Sequence, residues 1–187
     1  MKNRCAWVPS DHDIYIKYHD TEWGVPVHDD RLLFEFLTLE GFQAGLSWIT
    51  VLKKRENFRK AFDDFNPQII SMYDDDKINE LMNNTGIIRN NRKIKATINN
   101  ARAFLNIVEK QGSFDSYIWQ FVDGIPIKNH WKTVEDIPVS TPLSDKMSKD
   151  LKEVGFKFVG STICYAHMQA TGMVNDHTVN CFRYKEV

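Results

Sequence analysis

Apolar residues along this chain recur three and four positions apart and almost never alternate with polar ones, so the hydrophobic surface must be buried by amphipathic helices. The pattern predicts an all-α chain. Tyr15, Tyr18, His19 and Glu22 fall at i, i+3, i+4 and i+7 and share a face of a short helix. Asp29 or Asp30 caps a second helix, through Leu32, Leu33, Phe34, Phe36, Leu37 and Leu39 into Glu40. A third runs from Ser47 to about Phe62 with a basic face of Lys53, Lys54, Arg55, Arg59 and Lys60; Pro67 and Asp74-Asp75-Asp76 punctuate two short ones. Gly86 precedes the longest helix, which ends near Gly112, and Ser113 caps the next, through Val122. Residues 123–143 hold Pro126, Pro138 and Pro142 and no strong period, which predicts a long ordered loop. A loop of that length carries function or crosses between lobes.

From Ser144, taken as a cap, Met147, Leu151 and Val154 line one face until Gly155, and another helix runs from Ser161 to about Thr171. Gly155-Phe156-Lys157-Phe158-Val159-Gly160 joins the two as a helix-hairpin-helix would. Such a turn suits a DNA backbone, because its glycines admit a phosphate and the second helix's first N–H groups point at it. Helix pairs joined by glycine with no ligand are also common.

The 187 residues suffice for one domain, or for two small lobes sharing a core. The 24 basic and 25 acidic side chains nearly cancel, so contact with DNA has to be local rather than driven by an overall field. No apolar run approaches the roughly 18 residues of a bilayer span and nothing resembles a signal peptide, so a cytoplasmic location is expected. An odd number of cysteines, Cys5, Cys164 and Cys181, points to thiols or metal ligands rather than to a disulfide framework.

Two groups of residues carry chemistry. Leu39-Glu40-Gly41-Phe42-Gln43-Ala44-Gly45-Leu46-Ser47-Trp48 places one carboxylate among apolar, aromatic and glycine residues, with no Lys or Arg beside it. If buried, Glu40 needs donors or a cation from elsewhere, and a cationic ligand is one candidate; a solvated Glu40 and a core Trp48 are the plain alternative. Ser47 reads as the cap of the helix that begins at Trp48. Separately, His177 and Cys181 lie four apart, so on a helix both face one ion, and Cys5 with His19 would complete a Cys2His2 tetrahedron, the ligand set of structural zinc. Four protein ligands leave no open position for water, so the zinc would tie the two ends of the chain together and take no part in catalysis. Cys164, between Ile163 and Tyr165, is expected to be a core thiol. His12, His28, His130 and His167 show no partner in the sequence.

Cys5-x-Trp7, Tyr15-x-x-Tyr18-His19-Asp20-x-Glu22-Trp23-Gly24, the Leu39 to Trp48 run, Lys53-Lys54-Arg55, Gly86-Ile87-Ile88-Arg89, Gly155 to Gly160 and Val174-Asn175-Asp176-His177 together resemble the type I 3-methyladenine DNA glycosylases of the helix-hairpin-helix superfamily. The resemblance spans essentially the whole chain. It implies an all-helical two-lobed fold, formed as a single glycosylase domain over residues 1–187. The terminal segments would form the zinc-bearing lobe, and the middle helices with the hairpin near 151–171 the other. It also implies hydrolysis of the N-glycosidic bond of 3-methyladenine in double-stranded DNA by a monomer. Carried over residue by residue, it implies zinc on Cys5, His19, His177 and Cys181. Glu40 and Tyr18 then act on the base, Trp48 stacks on it, and Trp7, Tyr15 and Trp23 lie nearby.

On that basis the aromatic box with Glu40 would discriminate by charge, since 3-methyladenine in DNA is cationic and adenine is not. DNA would be held by the hairpin from Gly155 to Gly160 with Lys157, and by Lys53, Lys54 and Arg55. Leu46, with Gln43, would fill the gap left by the extruded base, the alternative for Leu46 being a core position. Wider superfamily members usually carry an Asp shortly after the hairpin, in a run like Val-Asp-Thr-His-Val. Asn175 stands there in this chain, with Asp176 next to it. The alternative to an enzyme is a catalytically idle, zinc-stabilised DNA-binding protein.

Overall fold

The computed structural model describes residues 2–187. Its helices are α1 (Asp13–Thr21), α2 (Asp30–Gln43), α3 (Trp48–Leu52), α4 (Arg55–Ala61), α5 (Pro67–Ile70), α6 (Asp75–Asn83), α7 (Asn91–Gln111), α8 (Phe114–Trp119), α9 (Pro142–Glu153) and α10 (Ser161–Ala170). The chain is mostly helical, as the apolar spacing requires. Asp29, Asn66, Asp74, Asn90 and Ser113 each accept from a backbone N–H in the first turn of the helix that follows, which satisfies donors no intrahelical carbonyl can reach.

A large core is made by α2, α4, α7, α8, α9 and α10, with Phe34, Phe42, Phe58, Phe62, Phe114 and Phe156 fully buried. A smaller cluster beside it gathers Cys5, Tyr18, Trp23, Phe36, Leu52, Ala170 and Cys181, with Trp7, Tyr15 and Trp48 packed against it. This second cluster joins the first 25 residues to the last 20. Gly172 makes that junction possible. It has a φ of +69°, and a Cβ there would lie 2.4 Å from the Val25 and Pro26 backbone.

Several boundaries differ from the sequence expectations. The helix expected from Ser47 to Phe62 is two helices, α3 and α4, broken at Lys53 and Lys54. Ser47 occupies the cap position, but its hydroxyl bonds the Thr50 hydroxyl instead of a backbone N–H. α9 begins one turn early: Thr141 is its cap, Pro142 opens it, and Ser144 is the reciprocal partner of a capping box. The 123–143 segment contains a short strand, β1 (Ile127–Lys128), parallel to β2 (Val174–Asn175), and a 3-10 turn at Val134–Asp136. Two paired residues per strand are too few to leave an alternation in the sequence. His177 and Cys181 sit in a turn and not on a helix; the Cys181 N–H donates to the Thr178 carbonyl. No helix among the described residues is long and apolar enough to cross a membrane.

Candidate active site and metal centre

Trp7, Tyr15, Tyr18, Trp23, Glu40, Gln43 and Trp48 line one cavity of about 370 Å³, at the low end of the size range of small-molecule pockets. α1 supplies Tyr15 and Tyr18, one turn apart, and α2 supplies Glu40 and Gln43 from its last turn. Trp48 is the first residue of α3, and the short α2–α3 connection brings it to the cavity that Glu40 and Gln43 also line. Tyr18 and Trp48 meet at 5.4 Å, while Trp7 packs edge-on against Tyr15 at 5.6 Å and Trp23 at 5.0 Å. The resulting box is rigid and electron-rich.

Glu40 is 3% exposed and one of its carboxyl oxygens has no hydrogen-bond partner among the described residues. Burial alone pushes its carboxyl up to about 8, because no nearby donor or cation offsets the loss of water. Among the described residues, the absence of a Lys or Arg beside it therefore extends to three dimensions. Tyr18, equally buried, has its phenol raised well above the usual value by desolvation and by Glu40, which keeps it a protonated donor. The Trp48 indole N–H is also buried with no partner. An unpaired acceptor and an unpaired donor thus belong to two residues that line one cavity, and buried polar groups of this kind call for a hydrogen-bond partner.

The cavity has a second wall that the sequence did not disclose. Val134, Ile137 and Pro138 of the 123–143 segment close one side, and Ala166 and Gln169 of α10 another. Gln169 carried a signal, as a polar residue in the apolar run Ile163 to Ala170; for the loop residues the one signal was the length of the 123–143 segment. Asp176 is 1% exposed and accepts from four groups: Asn129 Nδ2 (2.7 Å) and the Trp131 indole (2.8 Å) on Oδ1, the Tyr165 hydroxyl (2.6 Å) and Gln169 Nε2 (2.8 Å) on Oδ2. Asn175 is spent on the Tyr184 and Val187 carbonyls and the His177 N–H.

Cys5, His19, His177 and Cys181 are all buried, with one donor atom from each within 4.8 Å of the others. Cys181 Sγ lies 3.4 Å from His19 Nε2 and 3.6 Å from His177 Nδ1, and Cys5 Sγ lies 3.6 Å from His177 Nδ1. Bonds of about 2.0 Å to nitrogen and 2.3 Å to sulfur give tetrahedral edges of roughly 3.3–3.8 Å, so the separations suit a metal ion. The outer shell fits as well. His19 Nδ1 is 2.8 Å from Asp20, which Arg4 clamps with two bonds of 2.7 and 2.8 Å, and His177 Nε2 faces the Trp23 carbonyl at 3.1 Å. Both rings thus turn their other nitrogen to the thiols. Gly24, at φ +78°, lets the backbone pass this ring; a Cβ there would sit 3.0 Å from His177 Nε2.

The expected DNA-facing residues divide. Leu46 is 43% exposed at the tip of the α2–α3 connection and is not a core residue. Lys93 stiffens that connection, its buried ammonium donating to the Phe42 and Ala44 carbonyls at 2.8 and 2.7 Å. Arg55 is not free for phosphate: it is 6% exposed and paired with Glu35 and Glu22, each at 2.5 Å. Lys54 caps the Thr85 and Gly86 carbonyls, leaving Lys53 as the exposed cation of the three. At the hairpin, the Gly155 N–H closes α9 and the Lys157 N–H donates to Asn100 at 2.7 Å, while Asn100 and Asn99 donate to the Lys157 and Gly155 carbonyls. α7 therefore holds the turn by its backbone, the Lys157 side chain stays exposed, and Gly160 caps α10 without a side chain. Among the remaining histidines, His28 bonds Asp115 at 2.8 Å and stacks on Trp119, and His167 is fully buried with its ring pushed down to about 3 by desolvation. Cys164 is a buried thiol against the Val159 carbonyl.

Residues 7–184 match the family model for methyladenine glycosylase. DNA-3-methyladenine glycosylase 1 of Escherichia coli is 51% identical over 181 residues, covering 97% of this chain and 96% of that protein. A crystal structure of 3-methyladenine DNA glycosylase I superposes with a TM-score of 0.94 at 54% identity, covering 96% of this chain and 98% of the other. A variant of 3-methyladenine DNA glycosylase I in complex with 3-methyladenine superposes at 0.93, with 35% identity over 96% of both chains. The chain belongs to the methyladenine glycosylase family.

Proposed function

We propose that this protein excises 3-methyladenine from alkylated double-stranded DNA by hydrolysing its N-glycosidic bond. The observation that carries the proposal is the buried, unpaired Glu40 inside an aromatic cavity of base-accepting size. A relative named for the activity and a like fold holding 3-methyladenine support it. A glycosylase must extrude its base at a cost of a few kcal/mol, and stacking on aromatic rings returns roughly 1–3 kcal/mol. Trp48 is the stacking face. Glu40 accepts from the exocyclic amino group, and Tyr18, a neutral phenol, donates to a ring nitrogen.

The cationic base departs as a neutral molecule, so the leaving group requires no strong general acid. Glu40, drawn toward its charged form by the cation, also steadies the positive charge that develops on the sugar. Asp176 takes no part as a base, since its lone pairs are occupied by four donors. Zinc is the metal that two thiolates and two imidazoles at these separations suit, held by Cys5, His19, His177 and Cys181. Its contribution is structural, fixing α1 and the Trp23 segment against the C-terminus. The duplex is engaged by exposed Leu46 and neighbouring Gln43 at the base gap, and by Lys157 and the Gly155–Gly160 hairpin at the phosphates. The protein acts as a single unit and a monomer.

Chromatography of bases released from methylated duplex DNA tests the proposal. Time-dependent release of 3-methyladenine is expected. Its absence with folded, zinc-loaded protein would leave the idle DNA-binding protein as the reading.

A further inference from the structure

We propose that Gln169, its amide oriented by Asp176, is a second hydrogen-bond acceptor in the base pocket and, with Glu40, selects purines bearing an amino group at position 6. The inference rests on the function proposed above. A carboxylate has only acceptors, so each of the four groups around Asp176 must turn a hydrogen toward it. For Gln169 this fixes the assignment of its amide: Nε2 faces Asp176 at 2.8 Å, and the carbonyl oxygen is directed elsewhere. Gln169 lines the cavity, and no donor among the described residues reaches that oxygen. Two acceptors then confront the base, Glu40 on one wall and Gln169 on another. The amino group of 3-methyladenine has two hydrogens to give them. The position-6 oxygen of 3-methylguanine has none, and would set lone pairs against lone pairs.

Asp176 also explains how the pocket's other wall keeps its place. Asn129 and Trp131, on Oδ1, belong to the segment that carries Val134, Ile137 and Pro138 into the cavity, and β1 pairs with β2 directly before Asp176. One buried charge thus orients Gln169 and anchors the loop that faces it. The two oxygens of Asp176 are not equivalent in what they tolerate. Trp131 on Oδ1 can only donate, whereas the Tyr165 hydroxyl and the Gln169 amide on Oδ2 can turn over. In Asp176→Asn the new amide must therefore keep its oxygen toward Trp131 and present its nitrogen to Gln169. Gln169 flips, and its own NH2 faces the pocket.

The test is binding of free 3-methyladenine and 3-methylguanine, followed by quenching of tryptophan fluorescence, to wild type, Asp176→Asn and Gln169→Leu, with melting curves to verify folding. Wild type is expected to prefer 3-methyladenine by at least about tenfold. Gln169→Leu should lose several-fold in affinity for 3-methyladenine and little for 3-methylguanine. Asp176→Asn should compress the ratio further, by strengthening 3-methylguanine as it weakens 3-methyladenine. Parallel weakening of both bases, with the ratio unchanged in either variant, would reduce these residues to scaffolding and overturn the inference while leaving the proposed function intact. Should Asp176→Asn fail to fold, the ratio in Gln169→Leu decides. A folded wild type that bound neither base would instead overturn the proposed function.

Discussion

Glu40 costs the fold stability, and the sign of that cost is testable. With its folded pKa raised to about 8 and an unfolded value of about 4.3, no penalty exists below the unfolded value, where both states are protonated. As the pH rises toward 8 the unfolded chain ionises and the folded one does not, so stability falls through that window. Glu40→Gln removes the penalty. It should match wild type near pH 4 and exceed it by an amount that grows to on the order of 4–5 kcal/mol at pH 8, read by thermal or urea denaturation. Equal pH dependence in the two proteins would show that Glu40 ionises freely and is not isolated. Gly172→Ala should act oppositely. A methyl 2.4 Å from the Val25–Pro26 backbone, at a positive φ, forces the terminal segments apart, and a loss of at least about 2 kcal/mol is expected in the same assay.

Among the elements, the α2–α3 connection carries the most specific prediction. Leu46 stands 43% exposed on a turn that Lys93 ties down, which excludes a core side chain and leaves it free for the proposed role of an apolar wedge. Leu46→Ala should leave the melting temperature within about 1 °C, since surface changes cost little. It should slow release of 3-methyladenine from duplex DNA while sparing affinity for the free base. Undiminished release would assign the gap to another residue. This element also shows what the sequence could and could not tell. Asp29, the α2 apolar stripe and the lone carboxylate at Glu40 were legible because they are local: a cap, a period and a charge without a neighbour. The burial of Arg55 was not, because Glu22 and Glu35, which pair with it, are distant in sequence and only the packed chain brings them together. The Val134–Pro138 wall and the orientation of the Gln169 amide were hidden for the same reason: both depend on Asp176, which gathers donors from positions 129, 131, 165 and 169. The four candidate metal ligands were legible by residue type, yet on the wrong local structure, since a turn can converge His177 and Cys181 as well as a helix can.

At the scale of the whole molecule, the base cavity is built on the seam between the two ends of the chain. Trp7, Tyr15, Tyr18 and Trp23 come from the N-terminal segment whose Cys5 and His19 lie buried against His177 and Cys181. If the four residues hold the zinc proposed above, Cys181→Ser, or a strong chelator, should release it, lower the melting temperature and weaken base binding together, because the aromatic box loses its clasp while the large core keeps its helices. Loss of metal with unchanged base affinity would show that the packing of Trp7 and Trp23 suffices alone. The proposed function turns on one buried carboxyl group, Glu40, whose missing partner is the bound base. The most direct measurement is therefore the affinity of free 3-methyladenine for wild type and for a folded Glu40→Gln variant near pH 7, by tryptophan fluorescence. A loss of about tenfold or more, worth roughly 1.4 kcal/mol, is predicted; equal affinity would contradict the account at its centre.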